Sequence, residues 1–137
     1  MELEVTSRCE GRSTVVAAQG EIDLTSCVRL RDTLDRVEDT DSDGVVVDLT
    51  KVGFIDSTGL SVLVDGARHA RARDRSFGVV ADGHLRELLR ITGLDTVMDV
   101  HRRLGDALPA TTGAPGSSGP SGSSTNGSPV NDEAPRT

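Results

Sequence analysis

An α/β fold, with a mixed sheet of about five strands and about four helices mainly on one face, is predicted by three observations. Two strand-like segments at the N-terminus are joined by a short turn. The run Val45-Val46-Val47-Asp48-Leu49 is nearly continuous and β-branched, the pattern of a strand buried on both faces of a parallel sheet. Strand-like and helix-like segments then alternate to residue 108, the order that parallel crossovers produce.

The elements follow in order. Leu3–Ser7 and Thr14–Ile22 are predicted strands, with Glu10-Gly11-Arg12 as the turn between them. From Leu24 to Val37 the apolar residues Leu24, Cys27, Val28, Leu30, Leu34 and Val37 fall mostly at helical spacing, with Asp23 or Thr25 as the cap. The acidic stretch from Glu38 to Gly44 ends that helix as a solvated loop. After Val45–Leu49 comes a loop that contains Lys51, then a helix capped by Asp56. Leu60, Leu63, Val64 and Ala67 form its core stripe, and Ser61, Val62 and Asp65 its opposite face. Phe77–Ala81 is a strand, and Asp82-Gly83 turns into a helix carrying Leu85, Leu88 and Leu89, which Gly93 terminates. Val97–His101 is the last strand, and Arg102–Leu108 closes with a helical turn or two.

Residues 1–108 are therefore expected to form one domain. The tail, 109–137, holds all five prolines (Pro109, Pro115, Pro120, Pro129 and Pro135) among Gly, Ser and Thr. It lacks the large apolar side chains that offset ordering entropy, so it is expected to be disordered.

Composition excludes several function classes. The net charge of −7 opposes nonspecific nucleic-acid binding, and two Phe with no Trp or Tyr leave no base-stacking platform. No apolar run reaches the roughly 18–20 residues of a membrane span, and the segment MELEVTSRCEGRS lacks the pattern of a signal peptide. Cys9 and Cys27 have no CxxC spacing and read as free thiols. His69, His84 and His101 share no metal-ligand spacing. Asp23, Asp48 and Asp56 lack the late-strand lysine of a phospho-aspartate receiver, since Lys51 is the only lysine in the chain. Neither a metal nor a cofactor is expected. The sequence has no GxxxxGK[ST], GxGxxG or GxSxG, so the corresponding enzymatic chemistries have no support. The basic run Arg68–Arg75 falls at a helix C-terminus and reads as a solvated end that complements the dipole.

The informative segment is Asp56-Ser57-Thr58-Gly59. Asp56 suits the N-cap, which puts Ser57 and Thr58 in the first helical turn. Gly59 is costly there, by about 1 kcal/mol relative to alanine. Either a partner or ligand approaches its backbone, or the glycine relieves packing against a neighbouring strand. A phosphate on Ser57 would meet unpaired amides and the positive end of the helix dipole, so it would change the surface by about −1.5 to −2 charges without unfolding the helix.

The string Asp48-Leu49, then Phe54-Ile55-Asp56-Ser57-Thr58-Gly59-Leu60, resembles the signature of STAS domains, specifically of bacterial anti-sigma factor antagonists. Gly20-Glu21-Ile22-Asp23 matches that family's second-strand-to-helix corner, and the element order agrees. The resemblance implies a non-enzymatic, cytoplasmic phosphoprotein. Its unphosphorylated form binds an anti-sigma factor serine kinase and frees the sigma factor; phosphorylation of Ser57 releases the kinase, and a serine phosphatase resets the switch. The family's functional positions map onto Asp23, Asp56, Ser57, Thr58 and Gly59, to which the helix spacing adds Ser61, Val62 and Asp65 as partner contacts. The rival expectations are a STAS subunit regulating a membrane transporter or lipid-export complex, and a scaffold in a larger signalling assembly.

Overall fold

The computed structural model describes residues 2–108; the tail expected to be disordered, 109–137, lies outside the described residues. The chain runs β1 (Glu4–Glu10), β2 (Ser13–Ile22), α1 (Cys27–Glu38), β3 (Gly44–Ile55), α2 (Ser57–Ala72), β4 (Ser76–Val80), α3 (Gly83–Ile91), a 3-10 turn at Leu94–Thr96, β5 (Asp99–His101) and α4 (Leu104–Ala107). The five strands form one sheet in sequence order. β1 and β2 are antiparallel, and every later pair is parallel.

Strand alternation divides the core. Val16, Ala18, Val45, Val47, Leu49, Phe77 and Val79 belong to the main cluster, together with Leu30, Leu34, Val62, Leu63 and Ala67 from α1 and α2. Val15, Val46 and Val80, of opposite parity on the same strands, are buried outside that cluster. The sheet centre is thus buried on both sides, as the β-branched run of β3 predicts. Cys9 is exposed, Cys27 is buried, and both thiols are free.

β3 is longer than the expected Val45–Leu49, and Lys51 lies within it rather than in a loop. β2 continues to Ile22 and holds Lys51, Val52, Phe54 and Ile55 in register across two irregularities. One of these is a bulge: between the pairs Ala17↔Asp48 and Gln19↔Lys51, β3 has one more residue than β2. The Asp48 carboxylate stabilises it by accepting from the amide of Thr50 at 3.0 Å and from its hydroxyl at 2.7 Å.

α1 begins at Cys27, with Ser26 as an N-cap whose hydroxyl bonds back to Glu21 and Asp23 rather than to the helix amides, not at Leu24 behind Asp23 or Thr25. The Asp23 carboxylate accepts from the Thr25 amide at 3.0 Å and the Ser26 amide at 2.8 Å, which folds these residues into a tight turn that competes with helix. Leu24, expected in the apolar stripe, is exposed in consequence; Val28, also expected there, is exposed because it lies inside α1 but off the face that buries Cys27, Leu30, Leu34 and Val37.

The basic run is not simply solvated. Arg73 donates to the carbonyl of Glu38, and Arg75 donates to Glu38 at 3.2 Å and Thr40 at 2.5 Å. These carbonyls lie at the end of α1, where helical partners run out and cations are favoured. His69 also meets Glu38, at 2.7 Å, so the C-terminal halves of α1 and α2 are stapled together. Arg75→Ala should lower stability by about 1–2 kcal/mol, read as a fall of several degrees in the melting temperature. Arg75→Lys should recover only part of this, because one ammonium cannot span both carbonyls.

Candidate functional site

The site forms where β2 and β3 end side by side. Their last pair is Ile22↔Ile55, and the Asp56 amide donates to the Ile22 carbonyl at 3.0 Å. The loop bearing Asp23 is thereby fixed against the start of α2.

Asp56 is the N-cap expected from the sequence. Its backbone is extended (φ −102°, ψ −174°), and its carboxylate accepts from the Gly59 amide at 3.1 Å and from the Thr58 hydroxyl. Those bonds hold the Asp56 carboxyl below its ordinary range, the Thr58 hydroxyl contributing most, then the Gly59 amide. Asp23 is likewise held low, first by the Ser26 amide and then by the Ser26 hydroxyl, against a smaller opposing influence from the Asp56 charge. The two carboxylates therefore stay ionised together beside Ser57.

A pH dependence follows. Both groups bind protons less readily folded than unfolded, so their stabilisation is full above the unfolded value, about 3.9, and is lost as pH falls through the lower folded values. The wild type should lose stability on acidification below about pH 4 more steeply than Asp23→Asn/Asp56→Asn, as followed by urea unfolding.

Ser57 and Thr58 differ sharply. Ser57 is exposed, and its hydroxyl carries no hydrogen bond among the described residues; its carbonyl accepts from Ser61 Oγ at 3.0 Å. Thr58 is half-buried, with its hydroxyl engaged by Asp56. Ser61 and Asp65 are exposed one and two turns on. Val62, expected beside them, is only 2% exposed and belongs to the core. The periodicity of α2 misled here because this helix packs on both the sheet and α1, so its buried face is wider than one stripe. Gly59 is buried too. A Cβ there would lie 2.6 Å from both Ile22 and Ile55, so the glycine exists for packing against the strand ends rather than for close approach by a partner.

Two surface residues escaped the sequence reading. Leu24 is 70% exposed and Phe54 is 48% exposed. Leu24 directly follows Asp23 in the chain, and Phe54 lies two residues before Asp56 on β3. Leu24 falls at helical spacing with the apolar residues of α1; the signal against that reading is the Asp23-x-x-Ser26 turn pattern. Among the described residues no group of three or more His, Cys, Asp or Glu is placed to hold a metal ion, and no helix is long and apolar enough to cross a membrane.

A protein-family model described as "Mlab, STAS domain" matches residues 5–104. This chain belongs to the STAS domain family. The STAS domain is 32% identical over 100 residues to the anti-sigma-F factor antagonist RsfB of Mycobacterium tuberculosis, covering 72% of this chain and 81% of that protein. It is 28% identical over 103 residues to the anti-sigma-B factor antagonist of Listeria monocytogenes, covering 73% and 88%. The crystal structure of an anti-sigma factor antagonist from Mycobacterium paratuberculosis superposes on it with a TM-score of 0.70 at 29% identity, covering 77% of this chain and 91% of that one. The mixed five-stranded sheet and four helices thus match a known STAS architecture.

Proposed function

We propose that this STAS domain is an anti-sigma factor antagonist whose partner binding is switched by phosphorylation of Ser57. The observation that carries the reading is the contrast at the start of α2. Ser57 presents an exposed hydroxyl, while the adjacent Thr58 hydroxyl is tied to Asp56. The names of the relatives above support the class of partner.

The chain itself performs no catalysis. A partner anti-sigma factor kinase supplies ATP. The Ser57 oxygen attacks the γ-phosphorus, the bond to the β-phosphate oxygen breaks to leave ADP, and the serine proton passes to a base on the kinase. The new phosphate sits over the first-turn amides of α2, where the dipole favours it, so the domain stays folded. It also adds about −1.5 to −2 charges beside Asp23 and Asp56, turning a shared surface repulsive towards a partner fitted to the unmodified serine. A serine phosphatase hydrolyses the phosphoserine and restores binding. Such a cycle belongs in the cytoplasm, with the sigma factor and ATP, and requires no contact with DNA or membrane.

Asp23, Asp56 and Ser57 supply the polar part of the docking surface, with Ser61 and Asp65 on the following turns of α2, and the exposed Leu24 next to Asp23 supplies an apolar anchor. Mixing the purified chain with an anti-sigma–sigma complex and resolving the products by size-exclusion chromatography tests the reading. Displacement of free sigma factor is expected; an undisturbed complex with every anti-sigma factor of the source genome would refute it. Leu24→Asp should leave the melting temperature unchanged and weaken the partner by about tenfold or more, in line with removal of an interface anchor. Calorimetric titration checks both the affinity and its dependence on this residue.

A further inference from the structure

β1 stands at the end of the strand order, with no neighbour on its outer side among the described residues. Its seven residues run in unbroken register with β2 and include no proline or lysine. Bulges, prolines and lysines are means by which natural sheets protect an exposed edge. The turn Gly11-Arg12 closes on the pair Glu10↔Ser13, which must be a hydrogen-bonded pair across so short a turn, and bonding to β2 alternates from there. Glu4, Thr6, Arg8 and Glu10 therefore bond inward, while the amides and carbonyls of Val5, Ser7 and Cys9 point outward and meet no partner among the described residues. At Leu3 the edge is already closed, because Arg29 donates to its carbonyl at 3.2 Å.

Charge decides what fits this edge. Val5 packs against the core on the helix side, so Glu4, Thr6 and Arg8, of opposite parity and all exposed, share the other sheet face. Arg8 donates to Glu10 through Nε at 2.9 Å, which leaves its Nη groups for a further acceptor. A second copy can pair with β1 antiparallel about a two-fold axis. Setting Ser7 against Ser7 places Glu4 against Glu10, and setting Ser7 against Cys9 places Arg8 against Arg8. Setting Val5 against Ser7 instead places Glu4 against Arg8 on both sides of the axis, with Thr6 facing Thr6 upon it. Opposite charges and paired threonines stabilise directly opposed positions, whereas like charges destabilise them. In this register these are the non-hydrogen-bonded pairs, whose side chains approach most closely.

We propose that this chain associates with a second copy of itself through β1, with Val5 hydrogen-bonded to the second copy's Ser7 and Glu4 ion-paired with its Arg8. The two sheets then become one. Thr6 on the axis pairs with Ala17 of β2, which lies roughly 15–20 Å at strand rise from Ile22 and the serine site. The paired strands are antiparallel, so the two Ser57 surfaces lie at opposite ends of the joined sheet and both stay open. The association uses no residue of the Asp23–Asp56–Ser57 surface and is measurable without any other protein.

The test is sedimentation velocity of the full chain, with reductant present, from about 5 to 500 μM, because so small a contact belongs to the weak end of protein interfaces. A concentration-dependent rise from monomer to dimer is expected. Arg8→Glu should weaken dimerisation by about tenfold or more, since both ion pairs become repulsive. Glu4→Arg/Arg8→Glu should restore it, which separates loss of the pair from damage to β1. For the register, Thr6→Cys/Cys9→Ser should form a disulfide-linked dimer on mild oxidation and Ser7→Cys/Cys9→Ser should not; Cys27 is buried in both. A chain monomeric at the highest concentration overturns the proposal. So does a dimer that Arg8→Glu leaves equally tight, a loss that the double exchange does not recover, or a disulfide that forms through Ser7→Cys and not through Thr6→Cys.

Discussion

Phosphorylated chain should bind its anti-sigma factor roughly 30- to 150-fold more weakly than unmodified chain, corresponding to about 2–3 kcal/mol of interface energy. The physical origin is local. Asp23 and Asp56 are already ionised, each held so by hydrogen bonds from its own loop or helix start. A partner that binds the unmodified surface must accommodate those charges, and a doubly charged group added at the start of α2, next to Asp56, exceeds what that arrangement complements. Ser57→Asp carries one negative charge in place of nearly two, and a planar group in place of a tetrahedral one. Its loss should therefore fall at or below the weak end of that range. Ser57→Ala should bind as wild type and remain bound in the presence of ATP. Neither substitution should lower the melting temperature appreciably, because negative charge at this helix start is favourable and the serine hydroxyl holds nothing in place. Titration calorimetry of the three chains against one partner, alongside thermal unfolding, separates a surface effect from a folding effect.

Gly59→Ala should destabilise the domain, although alanine is the better helix former by about 1 kcal/mol. The new methyl would lie 2.6 Å from Ile22 Cγ2, 2.6 Å from Ile55 Cγ1 and 3.1 Å from Ile55 Cδ1. Both isoleucines are buried, and β-branched side chains on strands have few other rotamers to adopt. The backbones must therefore part. Overpacking of this kind costs about 1–3 kcal/mol, against which the propensity gain of about 1 kcal/mol is set, so a net loss of about 1 kcal/mol is expected, read as a melting temperature lower by about 4–8 °C. Gly59→Val should be worse. Ile22 and Ile55 directly precede Asp23 and Asp56, so the same strain displaces the serine surface, and partner affinity should fall together with stability. An unchanged or raised melting temperature for Gly59→Ala would show that α2 is free to move away from the strand ends.

The sequence carried the fold well where packing follows a simple period. The β-branched run of β3, the Asp56 cap and the left-handed Gly93 after α3 all stand as their residue types predict. It carried less where side chains compete with regular structure. Asp23 captures two amides and delays α1, so Leu24 leaves the core for the surface. The Asp48 carboxylate holds a bulge through which β3 continues past polar residues that looked like a loop. Val62 was misplaced because the contact of α2 with α1 depends on tertiary packing, which a single-helix period does not encode.

The candidate site was legible as a string of residues and not as a surface. Asp56-Ser57-Thr58-Gly59 announces a capped helix start, but only the folded chain separates the roles within it. Thr58 is engaged, Gly59 is buried, and Ser57 alone presents a free hydroxyl. The exposed Leu24 reads as part of a helical stripe by spacing alone, and only the Asp23-x-x-Ser26 turn pattern speaks against that.

The most direct measurement is mass spectrometry of the chain after incubation with its anti-sigma factor kinase and ATP, with fragmentation to place the phosphate. The account predicts a single phosphate on Ser57, none on Thr58, and no modification of Ser57→Ala. Phosphate on Thr58, or an unmodified Ser57 in a chain that the kinase demonstrably binds, would contradict it.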